Sequence, residues 1–244
     1  MPKHSVSRIL DRARAEQSGM TLIELVIGIS IALVVTFASF AVLDRATTAS
    51  HEIADRQEAV QRGRLTRELI TRQLRSQVCL GETAAPITYR DATTVSFYAD
   101  LSDGSQNVAR RTLTFVPPSG SAPGRIDEDV RFGLGEYPDL TFPETPDSSK
   151  ALLGNVERAE SSAGQELPVF SYYAFQPGSP TGDLEQLDVP LSAEDASRTI
   201  MVHVAFTTLP DRERPKDRDA LTLQDNIYVR IADPTRPLEG PRCV

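Results

Sequence analysis

The sequence predicts an α+β protein, with one long N-terminal helix followed by a β-rich body. Three observations carry this expectation. Residues 20–43 hold a single ionisable side chain, Glu24. Residues 44–80 continue a helical spacing of apolar residues, and no proline falls between Lys3 and Ala85. Beyond residue 85 the period changes to strand-like alternation, and most of the 17 prolines and 14 glycines lie there. A chain of 244 residues with 40% hydrophobic and 25% charged content has enough apolar material for a substantial core.

The leader before Met20 carries Lys3, Arg8, Arg12 and Arg14 against Asp11 and Glu16, so it is basic, whereas the whole chain has a net charge of -8. Basic residues ahead of an apolar span favour cytoplasmic retention of that end. An acidic body argues against broad nucleic-acid binding. Twenty-four helical residues from 20 to 43 span about 36 Å, enough to cross a hydrocarbon layer of about 30 Å. A secretory signal peptide would have a shorter apolar run with its small-residue cleavage site after it. Here Gly19 precedes the run. Glu24 is costly inside a membrane unless it snorkels to water or pairs with another charge.

The helical pattern continues through Ala46, Ala49, Ile53, Val60, Leu65, Leu69, Leu74 and Val78, which predicts an apolar stripe packed on a sheet. Glu52–Arg56, Glu58–Arg62 and Glu68–Arg72 are i,i+4 pairs in the favoured order. Gly63 is the weak point of this half, at about 1 kcal/mol relative to alanine. Leu80-Gly81 gives a stop signal. A continuous helix from Thr21 to Val78 would be about 87 Å long. Its arginines alternate with acids, which reads as a solvated face rather than a nucleic-acid face.

Strands are expected at Ile87–Tyr89, Thr94–Tyr98, Arg111–Val116, Asp129–Phe132, Val169–Phe175, Thr199–Thr208 and Leu221–Ile231. The last two should pair antiparallel through a connector at Leu209–Ala220. Asp100–Gly104 reads as a turn. Residues 133–168, with prolines at 138, 143, 146 and 168, read as a long loop with one short element around Leu152–Val156.

Of the two cysteines, Cys79 lies past the expected helix and Cys243 is penultimate. In an exported body they would form a disulfide; the alternative is two buried thiols. No catalytic constellation is legible. The three histidines, His4, His51 and His203, are far apart, and there is no C-x-x-C, H-E-x-x-H, G-x-S-x-G or Walker pattern. The reading is therefore non-enzymatic, with no cofactor and no metal. Asp100, Asp103 and Asn107 lack the EF-hand spacing. Asp211, Asp217 and Asp219 stand among Arg212, Arg214, Lys216 and Arg218, as in a solvated hairpin.

Gly19-Met20-Thr21-Leu22-Ile23-Glu24-Leu25 resembles the processing site of type IV prepilins and type II secretion pseudopilins. It departs from them at Met20, where phenylalanine is commoner. The resemblance covers roughly residues 8–43. It implies a pilin-like α+β fold, in which a long helical spine packs against an antiparallel β-sheet body. The implied divisions are a leader at 1–19, a membrane and filament-core half-helix at 20–43, an amphipathic half at 44–80 and a globular body at 81–244. It also implies cleavage after Gly19 by a prepilin peptidase, N-methylation of Met20 and an assembly role for Glu24. Glu24 lies one helical turn from the new amine, on the same face.

Val169–Tyr173, Ile200–Phe206 and Ile227–Ile231 resemble the C-terminal half of W-class minor pilins and of the J-type pseudopilin. That implies a minor subunit of a type IV pilus-like filament. The alternatives are a pseudopilin of a type II secretion system, or a filament-displayed binding module for extracellular DNA or a surface ligand. Implied partners are the prepilin peptidase, other pilin or pseudopilin subunits, and an inner-membrane assembly platform with a separate ATPase. The implied location is a single-pass membrane protein with a cytoplasmic N-terminus, then a filament at the cell surface.

Overall fold

The computed structural model of the protein describes residues 21–81, 85–100, 108–177, 182–210 and 220–229. The chain divides into two compact units, Met1–Ile53 and Ala54–Val244. A 54-residue helix, α1 (Leu22–Arg75), provides the regular structure described in the first unit and the opening element of the second.

In the first unit every described side chain is exposed. The stretch is long and apolar enough to cross a membrane, and none of its apolar window is buried within the chain. Its hydroxyls are satisfied locally. Ser30 Oγ donates to Val26 O at 2.8 Å, Thr36 Oγ1 to Ala32 O at 2.7 Å and Ser39 Oγ to Val35 O at 2.8 Å. Such back-bonding satisfies these hydroxyls without water along the apolar surface.

The second unit is α+β, with two antiparallel sheets where a single sheet was expected. The first is a meander of β1 (Ile87–Arg90), β2 (Thr94–Asp100), β3 (Val108–Val116), β4 (Arg125–Phe132) and β5 (Ser148–Gly154), adjacent in that order. The second contains β6 (Val156–Arg158), β7 (Phe170–Phe175), β8 (Leu184–Leu187), β9 (Met201–Thr208) and β10 (Leu221–Tyr228). Its order is β10-β9-β7-β8, with β6 also paired to β9. A short helix, α2 (Ala193–Arg198), precedes β9. The expected pairing of the last two strands is present, from Leu221↔Thr208 to Tyr228↔Met201.

Alternation sets the inward faces. Val95, Phe97 and Ala99 of β2 and Val202, Val204 and Phe206 of β9 are all buried. With Phe170, Tyr172, Ile70 and Leu74 they belong to one core shared by both sheets and the helix. The sheets are also tied at the β1–β2 turn. Asp91 Oδ1 accepts from the backbone N–H groups of Thr93 and Thr94 at 2.7 and 2.5 Å. This turn presents Ala92 O to Val169 N at 2.9 Å, and Asp91 O and Thr94 O to the Tyr172 hydroxyl at 3.2 and 3.3 Å. Burial first, then the charge of Asp91, pushes the Tyr172 hydroxyl pKa well above its usual value.

Four local expectations are corrected. The helix ends at Arg75 rather than Val78, because the backbone after it zips onto β2: Val78 N bonds Tyr98 O at 3.0 Å and Asp100 N bonds Ser76 O at 3.1 Å. The stretch 133–168 carries two strands, β5 and β6, where one short element was expected around Leu152–Val156. β5 lacks visible alternation because it is an edge strand with four exposed residues at its start and a register shift opposite Ile126/Asp127. Neither β8 nor α2 was expected. The signal for α2 is Ser192-x-x-Asp195, in which Ser192 Oγ accepts from Asp195 N at 3.0 Å as an N-cap.

The fourth correction concerns the buried stripe of α1. It consists of Ala59, Gly63, Thr66, Ile70, Gln73 and Leu74, at helical spacing. Leu65, expected inside, is 67% exposed. Small residues win this face because the backbone comes close to the sheets. A Cβ at Gly63 would lie 2.5 Å from Leu223 Cδ1 and 2.8 Å from Thr208 Cγ2. Polar residues win where a partner waits. Thr66 Oγ1 donates to Leu152 O at 3.3 Å, a residue that the β5 irregularity leaves out of the β4 register. Gln73 Nε2 donates to Glu128 Oε1 at 2.6 Å. Glu128 is fully buried and also meets Arg111 Nη1 at 2.6 Å and Lys150 Nζ at 3.0 Å.

Candidate functional site

Of the residues singled out from the sequence, Gly19, Met20 and Cys243 lie outside the described residues, as do 101–107 and 211–219 with their acidic clusters. Glu24 and Cys79 are described, in different units, and each is taken by itself.

Glu24 stands in the first turn of α1 and is exposed. Thr21 caps that turn. Leu25 N bonds Thr21 O at 3.1 Å, and Glu24 N points at Thr21 Oγ1 at 3.4 Å. Thr21-x-x-Glu24 has the spacing of a capping box, a signal that the apolar pattern overlaid. Two local forces therefore favour a carboxylate here. The cap sets where the helix begins, and the unpaired N–H groups of the first turn attract negative charge. Around Glu24 the helix presents Leu22 at 80%, Ile23 at 69% and Leu25 at 52% exposure. The carboxylate is thus the one charge on a bare apolar surface, next to the start of the helix.

Cys79 is buried just beyond the end of α1 and is not a free thiol. Its carbonyl accepts a hydrogen bond from the Tyr137 hydroxyl at 3.1 Å, which ties the segment after β4 to the end of the helix.

The remaining candidates are structural. His203 lies on β9, as the alternation predicts, and its Nδ1 is 2.6 Å from Asn226 Oδ1 of β10. Thr207 and Thr222 form a second polar rung between the same strands, with their hydroxyls 3.0 Å apart. His51 is exposed on α1. Among the described residues no group of histidine, cysteine, aspartate and glutamate side chains is placed to hold a metal. What this arrangement offers chemically is association: an uncovered apolar half-helix with one exposed carboxylate in its first turn, attached in sequence to a well-packed body. No family model, curated protein or solved structure matches the chain.

Proposed function

We propose that the chain is a pilin-like structural subunit, a minor component of a type IV pilus-like filament, made as a membrane-anchored precursor and cut after Gly19. The observation that carries this reading is the placing of Glu24. It is the single charge of a bare apolar helix, four residues from the amine that cleavage would create on Met20. In an apolar filament core the amine of an incoming subunit and the Glu24 of one already assembled offset each other's desolvation. A single apolar span with a basic leader supports a precursor whose N-terminus stays in the cytoplasm and whose body is outside. An exported body also favours pairing of Cys79 with Cys243. Non-reducing peptide mapping tests this pairing; a Cys79 peptide linked to any other group counts against it.

The capping box makes the decisive comparison a pair of variants. Glu24→Ala removes both the capping-box spacing and the charge, whereas Glu24→Gln keeps the spacing and removes the charge alone. If Glu24 pairs with an amine, both variants are cleaved normally and both are lost from sheared filaments. Incorporation of Glu24→Gln at the wild-type level would reduce Glu24 to a helix cap and overturn the assembly role.

A further inference from the structure

Two patches of the second unit expose large apolar side chains, and they carry opposite charge. The first is the face of α1 opposite its buried stripe. Leu65 is 67% exposed, Leu69 is half-buried, and Arg64, Arg72 and Arg75 are exposed beside them. Leu65, Leu69, Arg72 and Arg75 line one open recess. The second patch follows β4. Phe132, Leu134 and Tyr137 are 48%, 61% and 50% exposed, with Glu136 and Asp139 exposed among them. That segment is held in shape. Leu134 and Thr141 exchange backbone hydrogen bonds at 2.8 and 3.0 Å, and Tyr137 is tied to Cys79 O. Arg64, Arg72, Arg75, Glu136 and Asp139 take part in none of the ion pairs found among the described residues.

We propose that the two patches are halves of one interface between copies of this chain. The acidic segment 132–139 of one copy seats on the basic helix face of the next. Exposed apolar clusters of this kind mark association sites, and opposite charge selects the partner patch. Pairing either patch with itself would set arginine against arginine or glutamate against aspartate, so a two-fold dimer through one patch is disfavoured. Because the two patches differ, the contact between neighbouring copies is head-to-tail rather than two-fold. Glu68, within the same helix face, weakens it as a track for the phosphates of nucleic acid or anionic lipid. This inference deepens the filament reading and rests on it only for the direction in which copies stack.

The test uses the full chain in detergent with a photo-crosslinking residue at Leu65, an exposed position. The expected product joins residue 65 of one copy to a peptide within 132–141 of a second, differently tagged copy. Arg72→Glu with Arg75→Glu should lower its yield about tenfold or more, since like charges in a contact are strongly unfavourable. Glu136→Arg with Asp139→Arg on the partner copy should restore it. Crosslinks to lipid, to nucleic acid, within one copy, or to any other segment would overturn the proposal, and so would a yield indifferent to charge reversal. Filaments that contain the chain without this crosslink would sink the interface and leave the filament reading standing. The crosslink in detergent, with the chain absent from filaments, would do the reverse.

Discussion

Along Leu22–Leu43 of α1 the side chains are uncovered and, apart from Glu24 and three hydroxyls, apolar, whereas along Ala59–Leu74 the buried stripe is largely small or polar. The two glycines state the difference most directly. A Cβ at Gly28 would meet nothing within 4 Å, while one at Gly63 would run into Leu223 and Thr208. The lesson is that hydrophobicity alone does not mark the buried face of this helix, which holds Ile70 and Leu74 beside Gly63, Thr66 and Gln73. In its first half the apolar residues are covered by nothing in the chain. In its second half the folded body is close enough that fit and hydrogen bonding decide.

That contrast breaks most readily at Glu128. Glu128→Ala would strand Arg111 and Gln73 without their acceptor in a buried site, at a cost of about 3–5 kcal/mol. Denaturant unfolding of the body reads this cost, and an unchanged midpoint would mean that the buried network does not hold the helix. In the other half, Leu33→Lys should leave that midpoint alone while costing roughly 3–4 kcal/mol in membrane insertion. Membrane fractionation checks it. A body destabilised by Leu33→Lys would show that the first half is not independent of the second.

Two smaller effects sharpen the packing side. Gly63→Leu should destabilise the body by about 1–3 kcal/mol, because the side chain enters an occupied site. Gly28→Leu should not change body stability. Tyr172→Phe removes the hydroxyl that joins the sheets, worth about 1 kcal/mol. The sign of its pH dependence follows from the raised pKa of Tyr172. The folded state holds that proton more tightly than the unfolded chain. The stabilisation is therefore complete below the ordinary tyrosine range, near pH 10, and is lost as pH rises through the folded value. Wild-type stability should fall more steeply than that of Tyr172→Phe in alkaline solution; parallel curves would remove Tyr172 from that role.

Much of this was legible in the sequence. The helix and the α+β class follow from the change of period, and the β9–β10 pairing from two late strand-like runs, a near-continuous apolar one at Ile200–Phe206 and an alternating one ending at Tyr228. The division into two sheets was not legible, since it depends on β6 and β7 both joining β9 across long sequence separations. The true stripe of α1 was hidden for a related reason. Thr66 and Gln73 are buried because Leu152 and Glu128 supply partners 86 and 55 residues away. At the site, Glu24 was identifiable as the lone charge of the run. Its capping partner Thr21 was legible too but went unread beside the stronger apolar pattern.

The central claim concerns what becomes of the apolar half of α1, and the N-terminal peptide of the assembled protein tests it most directly. Mass spectrometry of sheared filaments should find a peptide of this chain that begins at N-methylated Met20. Filaments that lack the chain, with protein still carrying residues 1–19 left in the membrane, would contradict the account.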